Sequence, residues 1–230
     1  MSDTPTPRRA LVLVDVQLEY VTGRLTIDPP VLDAAMARIM DLIEVAEQQQ
    51  VPIVVVRHES PAAAPLLAAG SPGAQLHPEV VRRRRPGWLE LTKRWASVLD
   101  DTDLADWCAR NSIDTLSLVG FMANNCLLAT AAGAAPYGLA VEVVSDATAT
   151  LGLRNAHGSV GDAQLHQALM VLLHSNFAAV SDSATWAEAV RRRVPTPRSS
   201  LLASIPDPAG SGGSDQDGRD RQRGRRAEVG

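Results

Sequence analysis

The chain has 230 residues, 45% of them hydrophobic, and a formal net charge of −4. That length supports one good core, the acidic balance argues against general nucleic-acid binding, and no apolar run approaches the ~20 residues of a membrane helix. Two cysteines in so long a chain make no disulfide framework, and the polar stretch from Met1 to Arg9 does not resemble a signal peptide. A cytoplasmic protein is expected.

Residues 1–8 read as a loose tail. Arg9 to Gln17 is a buried-strand run that carries a carboxylate, Asp15, close to its end. An acid inside so apolar a segment is costly unless paired; it is either a turn residue or a base at the sheet's ligand edge. Pro30 to Gln50 follows as an amphipathic helix, with Leu32, Met36, Ile39 and Ile43 on its core stripe. Val51 to His58 is a second buried strand, its proline at the start, where no ladder donor is lost. Strand, helix and strand make a right-handed βαβ unit. The expected fold class is therefore α/β, a three-layer α/β/α sandwich around a mainly parallel central sheet.

Glu59 to Pro86 is a Pro-, Ala- and Gly-rich excursion, long enough to be a candidate active-site loop. His58, Glu59 and His77 lie in or beside it without a metal-ligand spacing, so no metal is expected. Arg82 to Arg85 reads as a solvated run. Gly87 to Lys93 is a short strand ending in the chain's single lysine; a compact ammonium in so Arg-biased a sequence is either accident or a positional requirement. Asp103 to Asn111 is an amphipathic helix that places Cys108 in the core.

Ile113 to Val119 reads as a strand buried on both faces, and Gly120-Phe121-Met122-Ala123-Asn124-Asn125-Cys126 hands it over to a helix. Cys126 then lies near a helix N-terminus at the carboxyl edge of the sheet. Open α/β sheets bind ligands at that edge, and the local dipole favours a thiolate. Burial as a small core residue is the alternative. Leu139 to Val144 is a further strand, Asp162 to Asn176 a helix, Phe177 to Val180 an edge strand and Trp186 to Arg193 a closing helix. His157, His166 and His174 receive no role. From Pro195 the composition turns to Pro, Ser, Gly, Asp and Arg, and 195–230 is expected to be a disordered tail, leaving 9–194 as one domain.

Parallel strands present their carboxyl ends together, so Asp15, Lys93 and Cys126 can converge there. A thiol needs a base and a positive field to act as a nucleophile, and this trio offers both. The sequence resembles the cysteine hydrolases of the isochorismatase-like superfamily, whose relatives include nicotinamidases, N-carbamoylsarcosine amidohydrolase and streptothricin hydrolases. The matching pieces are Leu13-Val14-Asp15-Val16-Gln17, Lys93 ahead of Thr102 and Leu104, Gly120-Phe121-Met122 through Cys126, and Val144-Ser145-Asp146-Ala147-Thr148.

The resemblance implies a catalytic triad of Asp15, Lys93 and Cys126, a cis peptide at Phe121–Met122, and an oxyanion hole from the N–H groups of Met122 and Cys126. It implies cleavage of an amide, carbamoyl or lactam C–N bond of a small molecule through a Cys thioester, without cofactor, by a homo-oligomer. Gln17, Tyr20, Trp88 and Asn125 are the candidate pocket residues. Arg57-His58-Glu59-Ser60 departs from the nicotinamidase metal cluster, and Ala123 replaces the family's usual Thr three residues before the Cys. Two alternatives remain: an isochorismatase-type ether hydrolase, which would tolerate loss of Cys126, and a silent binding or assembly module of the same fold.

Overall fold

The structure, a computed structural model, describes residues 6–206. The remainder of the expected tails, 1–5 and 207–230, lies outside the described residues. In chain order the main elements are β1 (Arg9–Val14), α1 (Pro29–Gln48), β2 (Ile53–His58), α2 (Pro78–Arg83), β3 (Leu89–Lys93), α3 (Leu104–Arg110), β4 (Thr115–Phe121) and α4 (Leu128–Gly133). There follow β5 (Ala140–Ala149), the hairpin β6 (Leu153–Asn155) and β7 (Gly158–Val160), α5 (Asp162–Leu172), β8 (Ala179–Ser181), α6 (Ser183–Arg192) and α7 (Leu201–Ser204).

Six strands form one parallel sheet in the order β3-β2-β1-β4-β5-β8. Its central strands are largely apolar because helices cover both faces. Along β1, Leu11 and Leu13 face the layer that contains α1 and Trp186 of α6. Ala10, Val12 and Val14 face the other, with Leu104 and Cys108 of α3, Leu127 and Ala131. Cys108 is core, as its setting suggested; burial pushes its thiol up to about 11.

Burial of charge sets up one strong polar knot. The Glu142 carboxylate accepts from Arg9 Nε and Nη2 at 2.9 and 2.8 Å, and from Ser117 and Thr196 hydroxyls at 2.7 Å each. Trp186 Nε1 donates to it at 3.1 Å. Burial alone would raise this acid, but the Arg9 bonds and charge, then Thr196 and Ser117, outweigh it and hold Glu142 below the usual carboxylate range. Its ionised form therefore stabilises the fold above the ordinary Glu value, and that contribution is lost as pH falls through the lowered one. Glu142→Gln leaves the Arg9 guanidinium buried without a counter-charge, so chemical denaturation of the variant should show a loss of about 3–5 kcal/mol. A loss under about 1 kcal/mol would show the pair to be dispensable.

The knot also corrects the expected boundary of the tail. Thr196 is buried because Glu142 needs its hydroxyl, Val194 O accepts from Arg9, and residues beyond it form α7. The 59–86 excursion is likewise less irregular than its composition suggested. His77 Nδ1 accepts from Glu79 N, Pro78 opens α2, and Arg82 and Arg83 sit in the last turn. Cap, proline and charges thus all suit a short helix. The arginine run is a surface feature, as expected, with Arg84 paired to Glu90 at 2.9 Å. Among the described residues no helix is long and apolar enough to cross a membrane.

Candidate active site

Four parallel strands end at one edge of the sheet, and each end supplies a reactive side chain. Asp15 follows β1 with φ 51°, a left-handed conformation that Asp tolerates better than most residues. Its amide donates to Val56 O on β2. His58 ends β2 and pairs in register with Lys93, which ends β3. Cys126 follows β4. Gly120, opposite Val14, has φ +106°, and a Cβ there would overlap the Val14 carbonyl, so only glycine lets β4 approach β1 this closely. The peptide between Phe121 and Met122 is cis, and a single π-helical turn, Ala123–Leu127, carries Cys126.

The three expected residues meet. Lys93 Nζ lies 2.8 Å from Asp15 Oδ2 and 3.2 Å from Cys126 Sγ, and both members of the ion pair are fully buried. It also lies 3.1 Å from His58 Nδ1 and 3.2 Å from Trp95 O. An ammonium has three protons, so four neighbours compete for them. The contact with Asp15 is an ion pair by proximity rather than an aimed hydrogen bond; neither carboxylate oxygen has an aligned donor. Lone pairs on Asp15 are therefore free to receive a proton from the thiol.

The electrostatics differ from the expected thiolate. Burial, then the Asp15 carboxylate, push the Cys126 thiol up to about 12, against a smaller opposing effect of Lys93. The resting group is a thiol. Burial also raises Asp15, only partly offset by the charge on Lys93 and by the adjacent Cys126 thiol, which makes it a stronger base than an exposed carboxylate. Burial works against charge on Lys93, but Asp15 and Cys126 outweigh it and hold the ammonium above its ordinary value. His58 is lowered by burial and by Lys93, so its neutral ring accepts from the ammonium at Nδ1 and carries its proton on Nε2, a tautomer assigned from this contact.

His58 is the residue that reading the sequence missed. The signal was available: β2 and β3 are adjacent parallel strands, and their registered ends are His58 and Lys93.

Of the expected pocket residues, Tyr20 is placed beside the site. It is buried and packs on Phe121 with ring centroids 5.5 Å apart. Burial first, then Asp15 and Cys126, push its phenol up. Gln17 is a correction: it offers the pocket no free polar group. Its amide donates to His58 O and Ala74 O and accepts from His58 N, clamping the His58 peptide from both sides. Trp88 is a second correction. It precedes β3 and packs against the α1 layer, so five residues of strand rise put it roughly 16 Å from Lys93, toward the opposite edge. Asn125 is exposed; Asn124 is the one turned inward, accepting from the Thr150 hydroxyl beyond β5. Thr130 ties the turn down: its hydroxyl donates to Cys126 O and accepts from Val98 N.

Comparisons with known proteins agree with this architecture. The family profile described as the isochorismatase domain matches residues 9–185. An isochorismatase-type protein of Burkholderia xenovorans LB400 superposes with a TM-score of 0.83 at 41% identity, covering 87% of this chain and 95% of that one. The secreted isochorismatase effector Isc1 of Verticillium dahliae is 34% identical over 146 residues, 64% of this chain and 75% of its own. N-carbamoylsarcosine amidase of Thermoplasma acidophilum, 24% identical, shares the fold with a TM-score of 0.62 over 76% of this chain and 96% of that one.

Proposed function

The chain belongs to the isochorismatase family of hydrolases, and from that premise we propose that it is a cysteine amidohydrolase cleaving the C–N bond of a small amide, carbamoyl compound or lactam. The observation that carries the reading is Lys93 Nζ standing between Asp15 Oδ2 and Cys126 Sγ. Asp15 takes the thiol proton as Sγ attacks the carbonyl carbon. Because the thiol starts protonated, transfer and attack occur together rather than from a stored thiolate. Lys93 keeps the carboxylate in place and offsets the charge that passes through the site.

The N–H groups of Met122 and Cys126 donate to the developing oxyanion, each worth about 3 kcal/mol in such sites. The Asp15 carboxyl returns the proton to the departing nitrogen, leaving a thioester on Cys126. Water, deprotonated by Asp15, then attacks the thioester carbonyl and releases the acid and the thiol. Phe121 and Tyr20 form an apolar wall that limits water around these steps. Both cysteines are free, which supports work in a reducing compartment such as the cytoplasm. Exposed Val171, Leu172, Leu201 and Ile205 support self-association.

The proposed base fixes the pH response. Asp15 must be ionised, so kcat/KM should fall as pH drops through its raised value, placing the acid limb above the usual carboxylate range near 3.8. A steady-state pH profile checks this; a rate that instead keeps climbing toward the thiol's own value of about 12 would indicate direct thiol ionisation.

The second reading, hydrolysis of an isochorismate-like enol ether, is favoured by the family description. Ammonia release from a panel of small amides, ureas and lactams, run beside an enol-ether substrate, separates the two. Cleavage of the ether alone, undiminished in Cys126→Ala, would overturn the amidase reading.

A further inference from the structure

Lys93 Nζ occupies the centre of a group of atoms whose chemistry is that of a soft-cation site. Around it stand Asp15 Oδ2 at 2.8 Å, His58 Nδ1 at 3.1 Å, and Cys126 Sγ and Trp95 O at 3.2 Å each. One ligand atom each from Asp15, His58 and Cys126 lies within 4.8 Å of the other two. The three come from separate elements, the ends of β1 and β2 and the π turn. The His58 peptide is further fixed by the Gln17 amide. Zinc bonds such donors at about 2.0–2.3 Å, so each would close on the ammonium position by roughly 1 Å. Thiolate with imidazole selects thiophilic or borderline ions over magnesium and calcium, and thiolate plus carboxylate balance a divalent charge.

We propose that Asp15, His58 and Cys126 form a binding site for a thiophilic divalent cation, Zn2+ or Cd2+, which Lys93 ordinarily keeps filled with its own ammonium. Entry of the cation forms bonds to Sγ, an imidazole nitrogen and a carboxylate oxygen. It releases the Cys126 proton to solvent, and it moves the Lys93 ammonium, proton retained, out of the centre. No electron is transferred. Bound there, the cation holds both the nucleophile and its base, so it inhibits rather than assists. The site rests on ligand geometry alone and stands whether or not the protein hydrolyses amides.

Cd2+ titration of the full chain, read by the ultraviolet thiolate-to-cadmium charge-transfer band, tests it without an activity assay. Lys93→Ala vacates the centre and should bind one Cd2+ at least ~100-fold more tightly than wild type. Adding His58→Ala should weaken that binding by at least the ~10–100-fold that loss of even an outer partner costs a metal site, and adding Cys126→Ala should remove the band. His58→Ala in the otherwise unchanged chain should weaken the wild-type response in the same direction, which keeps the test intact if Lys93→Ala folds poorly. Equal affinity in wild type and a folded Lys93→Ala, indifference to His58→Ala, or a band that survives Cys126→Ala would each overturn the assignment.

Discussion

Cys126→Ala loses amide hydrolysis, with kcat/KM down by about four orders of magnitude or more, the scale on which nucleophile deletions act in covalent hydrolases. The fold should tolerate the change. Cys126 is small, its turn is held by Thr130 through the backbone carbonyl rather than through sulfur, and its thiol makes no buried ion pair of its own. Circular dichroism and thermal unfolding of the variant should therefore match wild type closely while ammonia release disappears. Cys126→Ser keeps a nucleophile in place but asks Asp15 to deprotonate a far weaker acid, so it too should be nearly silent. Retention of even a tenth of the wild-type rate by the alanine variant would remove the thiol from the chemistry.

The second large effect separates chemistry from stability at the same site. Asp15→Asn removes the base, and kcat/KM should drop by about three to four orders of magnitude. It also strips the buried Lys93 ammonium of its counter-charge, a situation that typically destabilises by about 3–5 kcal/mol. Adding Lys93→Met replaces that stranded charge with an apolar chain of similar length. The double variant should therefore recover most of the lost stability and none of the lost activity. Denaturation curves and ammonia release on wild type, the two single variants and the double variant measure both. Additive stability losses would mean that the two side chains do not form the pair described, since partners in contact couple and distant residues add.

How much of this was legible in the sequence follows from which forces act locally. The parallel sheet was readable because strands buried on both faces must be apolar throughout, as in Ala10 to Val14 and Ile53 to Val56. Asp15, Lys93 and Cys126 stood out because each is chemically odd for its surroundings, and the parallel topology then brings strand ends together. His58 did not stand out, because a lone histidine at the end of a strand acquires meaning only from the β2–β3 register. Trp88 and Gln17 were misplaced for a related reason. An aromatic or amide near a reactive residue in sequence can lie a strand's length away, as Trp88 does, or spend its hydrogen bonds on backbone, as Gln17 does. The helix α2 was hidden in a Pro- and Ala-rich stretch whose cap is a histidine rather than a common capping residue. The buried Thr196 was hidden because its partner, Glu142, is 54 residues away. Thiol ionisation was misjudged since helix position suggested a thiolate, whereas burial beside a carboxylate works the other way.

The covalent route itself is best tested by partition. An amide and an ester of the same acid should pass through one thioester on Cys126, and added hydroxylamine should intercept it. The hydroxamate-to-acid ratio is then predicted to be identical for the two substrates at each hydroxylamine concentration, whatever their overall rates. Ratios that differ between amide and ester, or hydrolysis that yields acid with no hydroxamate from either, would contradict a shared acyl-enzyme and with it the nucleophilic role of Cys126.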